Sequence, residues 1–204
     1  VNIYYSPEDP SLSSTHPINT FFARNFGVIR DDMLASDSIV RSIYDDKRVV
    51  QFACDVVGVN RLYQSRDSYQ ALTVNVMGDG EELHWHFDCN THAITLGIQQ
   101  PEGGGELEYI PNIGRENYSQ IEKVIHLEDE ESPEGSYNYQ TTEGALIFFR
   151  GGESIHRVRK VSGDQTRLVA ALQFHTSDDA FDTPEMTERI YGVKVQDHIG
   201  PKKT

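Results

Sequence analysis

The run Leu83-His84-Trp85-His86-Phe87-Asp88 constrains this chain more than any other stretch. It reads as the end of a β-strand, and a strand sends every second side chain to the same face. His86 and Asp88 therefore stand side by side as a ligand pair for a metal. One imidazole and one carboxylate do not complete a metal site, so the fold must bring a third ligand from elsewhere. His156, in Gly151-Gly152-Glu153-Ser154-Ile155-His156, can supply it. A chain that meets this demand must lay strands distant in sequence around a common cavity.

The rest of the pattern suits such a fold. Period-two segments at 69–77, 82–88, 93–99, 106–110, 145–149, 157–161 and 166–175 are parted by turns such as Gly78-Asp79-Gly80 and Pro101-Glu102-Gly103-Gly104-Gly105. Short strands joined by Gly/Pro turns predict a jelly roll or barrel. Helices flank it. One carries Ile39, Val40, Ile43 and Tyr44 behind a cap at Asp37 or Ser38, and a second runs over 46–57 and stops at Gly58. A third has helical spacing over 117–125, and a last spans 184–191, with Thr183 as cap and Pro184 in its first turn. The expectation is a mainly β chain with flanking helices, one domain over residues 1–204. A start at Val1 rather than Met leaves open whether a native N-terminal segment precedes it. Residues 1–32 are turn-rich, with Phe21, Phe22 and Phe26 to pack them down, and 112–135 include the acidic run Glu128-Asp129-Glu130-Glu131. The first suggests either a lid or a missing neighbour, and the second either a lid or a solvated loop.

Charge narrows the partners. With 18 Lys plus Arg against 32 Asp plus Glu, the net charge of −14 argues against nucleic acid, whose binding is driven by cationic contacts. A small-molecule substrate stays open, and a negative field would favour a cationic one. Two cysteines, Cys54 and Cys89, make no disulfide framework, so a reducing, cytoplasmic setting is expected. No apolar run approaches the ~20 residues of a membrane helix, and no signal peptide is visible. Nothing in the sequence sets the oligomeric state.

A lone histidine is more often a core residue than a ligand; here the combination carries the argument. Two imidazoles and a carboxylate on one face of Fe(II) leave three adjacent positions open. A 2-oxo acid can take two and O2 the third. Arg167 offers a planar fork for the far carboxylate of that acid. Asn75, on a neighbouring strand, could bond its metal-bound end or simply pair with backbone. Val169, Ala171 and Gln173 share the parity of Arg167, and Gln173 is the polar one, a candidate for substrate contact. Thr95 and Tyr109 are weaker candidates. Arg150 and Arg157 flank the His156 turn, and either could meet a substrate carboxylate or a surface acid such as Glu153. Alternation puts His84 on the face of His86, as pocket wall or core. It would also allow a cupin-type His84-x-His86 site, but that motif needs a glutamate where Asn90, Thr91 and His92 stand, and it leaves Asp88 and Arg167 unexplained.

The pattern His86-x-Asp88, His156 and Arg167 resembles the Fe(II)/2-oxoglutarate dioxygenase superfamily. Ser6-Pro7-Glu8-Asp9-Pro10-Ser11-Leu12, Trp85-His86-Phe87-Asp88, the run from Gln100 to Pro111 and the run from Phe149 to Val158 are similar to the enzymes that halogenate or hydroxylate free amino acids, typified by the lysine halogenases. The likeness extends over residues 1–192. It implies a double-stranded β-helix, with His86, Asp88 and His156 as iron ligands and Arg167 as the clamp on the co-substrate 2-oxoglutarate. Halogenases of this family replace the carboxylate ligand by a small residue and so make room for chloride. Retention of Asp88 therefore implies hydroxylation of a free amino acid or derivative, with succinate and CO2 as co-products. Desaturation or oxidative cyclisation, or hydroxylation of a peptide or protein side chain, stay open as alternatives. At Ala171 and Gln173 the chain departs from the small polar groups expected to contact lysine.

Overall fold

Residues 1–128, 131–178 and 184–192 of the computed structural model are described below. In chain order the elements are β1 (Gly27–Ile29), α1 (Ile39–Asp45), α2 (Lys47–Val57), β2 (Tyr63–Gln64), β3 (Leu72–Met77) and β4 (Leu83–His86). There follow β5 (Ala93–Gln99), β6 (Gly103–Gly104), β7 (Leu107–Ile110), α3 (Tyr118–Ile125), β8 (Tyr137–Tyr139) and β9 (Leu146–Phe149). The chain continues through β10 (Ile155–Val158), β11 (Val161–Ser162), β12 (Arg167–Leu172), β13 (Phe174–His175) and α4 (Pro184–Tyr191).

Two sheets carry the fold. One is five-stranded, β1-β3-β12-β5-β9, and the other four-stranded, β4-β10-β7-β8. All their pairings are antiparallel. This is the jelly roll expected from the turns, and side-chain alternation explains how it is layered. Leu72 and Val74 of β3, Ile94 and Leu96 of β5, and Ala170 and Leu172 of β12 bury one face of the first sheet against Val40, Tyr44, Ala53 and Cys54 of α1 and α2. On the second sheet Trp85 and Ile155, with Phe87 just past β4, pack against Ile121, Val124 and Ile125 of α3 and Ile3 near the N-terminus. The opposite faces of the two sheets enclose the cavity. No helix among the described residues is long and apolar enough to cross a membrane.

Local chemistry sets the element ends. Ser38 caps α1 and Asp46 caps α2, each accepting a backbone N–H, and α2 ends at Gly58 with φ at 79°, a left-handed conformation that glycine adopts without steric cost. The expected strand over 69–77 begins only at Leu72, because the Asp67 carboxylate accepts the N–H groups of Tyr69 and Gln70 and folds that stretch into a turn. The expected strand over 82–88 is shorter too. Phe87 N–H bonds Ile3 O and Asp88 N–H bonds Gly151 O, so the chain leaves the ladder after His86. The segment 166–175 is two strands broken at Gln173. Thr183, expected to cap α4, and Asp129 and Glu130 of the acidic run lie outside the described residues.

Neither candidate lid is a free flap. Asn2 and Ile3 are buried, and the Asn2 side chain donates to Ser6 O and Ile18 O, tying residues 1–18 into a wall. Phe22 and Phe26 do pack inward, while Phe21 is exposed. The segment after α3 is held by Glu108, which is fully buried on β7. Arg157 Nε donates to it at 2.7 Å, Arg159 Nη1 at 3.0 Å and Ser136 Oγ at 3.1 Å. Removing one partner from a buried ion pair leaves the other charge without compensation. Glu108→Ala should therefore lower the unfolding free energy by about 3 kcal/mol in urea denaturation. A loss too small to resolve would mean that the cluster does not tie the segment down.

Candidate active site

The strongest constraint from sequence is met at one register position: His86 of β4 lies directly opposite His156 of β10. Their rings are 4.1 Å apart, and Asp88 completes the group. Asp88 Oδ1 lies 3.7 Å from His86 Nε2 and 3.6 Å from His156 Nε2, and one donor atom from each residue falls within 4.8 Å of the others. Backbone carbonyls fix the tautomers. His86 Nδ1 bonds His84 O and His156 Nδ1 bonds Ser154 O, each at 2.9 Å. With Nδ1–H given to a carbonyl, each Nε2 presents its lone pair to the centre, the arrangement that metal-binding imidazoles use.

Electrostatics fit a cation there. Burial, reinforced by His156, lowers the His86 imidazole to about 3, so it is neutral at physiological pH. Burial works against ionisation of Asp88, yet the facing imidazoles more than offset this and hold its carboxyl below the usual range. For His156 burial acts downward, and the Asp88 carboxylate outweighs it and raises the imidazole. A neutral imidazole, an ionised carboxylate and a second imidazole bound to that carboxylate form a donor set suited to a divalent transition metal.

The Asp88 loop is seated by two further features. A Cβ on Gly151 would lie 1.9 Å from Asp88 Oδ2, so any side chain at 151 would take the carboxylate's place. Arg115 reaches across from the segment before α3, its Nη1 donating to Asp88 O at 3.1 Å and Gly152 O at 3.2 Å, and its guanidinium lies over the Phe87 ring. Neither residue was marked as functional by its sequence; Gly151 was legible only as a turn.

Arg167, 4% exposed, opens the second half of the cavity. Its Nε donates to Gly105 O at 2.9 Å and its Nη1 contacts Met77 Sδ at 3.6 Å. Gly105, at φ 71°, is a second close approach, since a Cβ there would lie 2.8 Å from Arg167 Cδ. Among the described residues no carboxylate pairs with this guanidinium. Burial lowers it to about 10, which still leaves it charged at neutral pH. Glu106 acts on it from beyond contact distance, and a buried cation beside an open cavity with no carboxylate bonded to it is suited to receive an anion. Asn75, paired in register with Val169, lines the same cavity, as do Thr95, Ala171 and Gln173.

Four residues considered as substrate contacts are placed elsewhere. His84 is displaced by a bulge. β10 advances from His156 to Val158 while β4 steps from His86 to Leu83, so β4 holds one extra residue and Leu83 takes the cavity-facing position. His84 instead stacks on Phe22, with ring centroids 4.7 Å apart. Arg157 points away from the cavity, over the Trp85 ring and onto Glu108. Arg150 is at the surface, paired with Glu153 at 2.7 Å. Tyr109 stacks on Tyr137.

The cavity has other lining residues that the sequence did not reveal. Tyr5 and Arg24 come from the N-terminal wall, and Ile190 and Tyr191 from α4. Arg24 Nη1 donates to the Tyr5 hydroxyl at 3.3 Å, and its guanidinium lies over the Tyr5 and Phe26 rings. No ion pair to Arg24 occurs among the described residues. Loop residues remote in sequence carry no periodicity that would have announced this role.

The family model described as Halogenase D matches residues 16–192. No curated protein matches in sequence. Several solved structures are similar in fold. An oxidoreductase of the 2OG-Fe(II) oxygenase family from Burkholderia pseudomallei is 16% identical over 72% of this chain and 59% of its own, with a TM-score of 0.49. The α-ketoglutarate-dependent epimerase SnoN from nogalamycin biosynthesis gives the same values. AviO1 from Streptomyces viridochromogenes Tue57 is 12% identical over 76% of this chain and 68% of its own, with a TM-score of 0.50. The chain thus spans about three fifths of the length of the first two. Such identities speak for the fold alone.

Gly151→Ala should weaken Co(II) binding by roughly tenfold or more in calorimetric titration, the cost of displacing one charged ligand. The same substitution in an Asp88→Ala background should change little. An equal loss in both backgrounds would show that Gly151 acts on the fold rather than on Asp88.

Proposed function

The chain belongs to the Halogenase D family, and from that premise we propose that it is an Fe(II)- and 2-oxoglutarate-dependent oxygenase that hydroxylates a C–H bond of a small carboxylate-bearing substrate, a free amino acid or a derivative of one. The observation that carries the hydroxylase reading is Asp88. Its ionised carboxylate faces both imidazoles at 3.6 and 3.7 Å, in the place that a halogenating member of the family leaves to a halide.

In this reading His86, Asp88 and His156 hold the iron, and Arg167 with Asn75 holds 2-oxoglutarate. Bound iron supplies the redox chemistry by which 2-oxoglutarate and O2 become succinate and CO2 while a C–H bond of the substrate is oxidised. The chain's own residues do the positioning. Arg167 takes the distal carboxylate of the co-substrate with its planar fork. Arg24 anchors the substrate: with Arg167 given to 2-oxoglutarate, it is the other arginine among the described residues lining the cavity, which favours a substrate with a carboxylate. Leu83, Val158 and Phe149 give the cavity apolar walls, and Tyr191 of α4 helps to keep water out.

The test is succinate release from protein loaded with Fe(II) without oxygen, then given 2-oxoglutarate, O2 and a pool of free amino acids. The expected result is stimulation by an amino acid together with a product heavier by one oxygen atom. Asp88→Ala should abolish that product. Stimulated succinate release with a product lighter by two hydrogens would replace hydroxylation by desaturation or ring closure. No stimulation by any amino acid would remove the substrate assignment. Arg167→Ala should raise the 2-oxoglutarate concentration needed for half-maximal turnover roughly 10- to 100-fold, the range of a charge-assisted hydrogen bond. An unchanged requirement would remove the clamp.

A further inference from the structure

The wall formed by Asn90 and Gln173 suggests what the other end of the substrate is. Asn90 Nδ2 donates to Gln173 Oε1 at 2.5 Å, and both residues line the cavity. Gln173 is held rigidly by its backbone at the break between β12 and β13. Its N–H bonds Ala71 O, and its carbonyl accepts from Ser65 N–H and the Tyr44 hydroxyl. It shares the face of Arg167 on the same extended run, so Arg167 and Gln173 mark opposite ends of the cavity, roughly 20 Å apart along the strand.

Two carboxamides joined by one hydrogen bond retain unused capacity. Asn90 Oδ1 is left as an acceptor and Gln173 Nε2 as a donor, and turning both amides over exchanges these roles without removing either. The wall therefore offers neutral N–H donors of Gln173 beside the neutral carbonyl acceptor of Asn90. A primary amide is the complement of this pair, giving an N–H to the acceptor and a carbonyl to the donor. An ammonium would set its charge against the free N–H, a carboxylate would face the free carbonyl oxygen, and a hydrocarbon would leave both groups dry and unpaired. Gln70, Thr73, Thr95, Thr141, Cys89 and His92 are further polar liners, and Asp88 is the single carboxylate among the described lining residues.

We propose that the Asn90–Gln173 bridge selects an amino acid whose side chain ends in a primary amide, of the glutamine or asparagine class. The proposal rests on the free-amino-acid reading above, in which Arg24 takes the carboxylate. It names a residue pair and a substrate class for the same cavity.

The experiment measures binding of L-glutamine, L-asparagine, L-lysine, L-glutamate and L-leucine, without oxygen, to protein loaded with Fe(II) and 2-oxoglutarate, by calorimetry. At least one amide amino acid should bind about tenfold more tightly than the other three, the factor of one mismatched buried hydrogen bond. Gln173→Glu is the decisive variant. A carboxylate there still accepts from Asn90 Nδ2, so the wall keeps its shape, while its free donor becomes a charged acceptor. The preference should then turn from the amide toward lysine. Tighter binding of lysine, glutamate or leucine by the unaltered protein would overturn the amide assignment and leave the amino-acid reading intact. An unchanged ranking in Gln173→Glu would overturn the role of the bridge. Binding of none of the five would overturn the amide assignment, and stimulation of succinate release by another member of the amino-acid pool would leave the amino-acid reading standing.

Discussion

The pairing of His86 with His156 across β4 and β10 is the contact on which the rest of the site depends. Strand alternation alone would spread the chemistry along β4. The extra residue in that strand concentrates it instead, bringing Leu83 into the cavity and sending His84 out against Phe22. Leaving the ladder after His86 then frees the chain to carry Asp88 beside both imidazoles, fixed by Gly151 O on its own N–H and by Arg115 on its carbonyl. The triad is thus made by one register pair and one loop, each held by backbone hydrogen bonds.

Two glycine turns do the equivalent work for the two charged groups. Gly151 leaves room for the Asp88 carboxylate, and Gly105 for the Arg167 side chain that bonds its carbonyl. In both places a single methyl group would displace the neighbouring functional side chain. The consequence is a cavity with an anion, Asp88, beside two imidazoles, a buried cation, Arg167, in its other half, and a second cation, Arg24, at the N-terminal wall. Such separated charges remain effective because the low-polarity walls screen them less than water would.

Much of this arrangement could be read from the chain. The jelly roll followed from strand periodicity and Gly/Pro turns, and α1 to α3 from apolar spacing, with the α1 cap narrowed to Asp37 or Ser38. The grouping of His86, Asp88, His156 and Arg167 was legible because demanding residue types stood at strand-compatible positions. What escaped had physical causes. A bulge cannot be seen in alternation, so His84 was left open between pocket wall and core, and it packs on Phe22 outside the cavity. Arg157 is indistinguishable in sequence from a substrate-binding arginine until Glu108 is found beneath it on β7. Arg150 looked the same until it was seen paired with Glu153 at the surface. Tyr5, Arg24 and the end of α4 reach the cavity through loop paths that no local pattern encodes. Asn90 was considered only as a missing glutamate, because its partner Gln173 is far away in sequence.

The central claim is that the triad holds one iron on which 2-oxoglutarate is seated by Arg167. Titrating Fe(II)-loaded protein with 2-oxoglutarate in the absence of oxygen, and following visible charge-transfer absorption, tests it most directly. The expected result is a new band that saturates at one 2-oxoglutarate per protein and, in Arg167→Ala, requires far more of the acid to appear. Tight binding of 2-oxoglutarate with no change in the iron's absorption would contradict the claim, since the acid would then occupy the cavity without touching the metal.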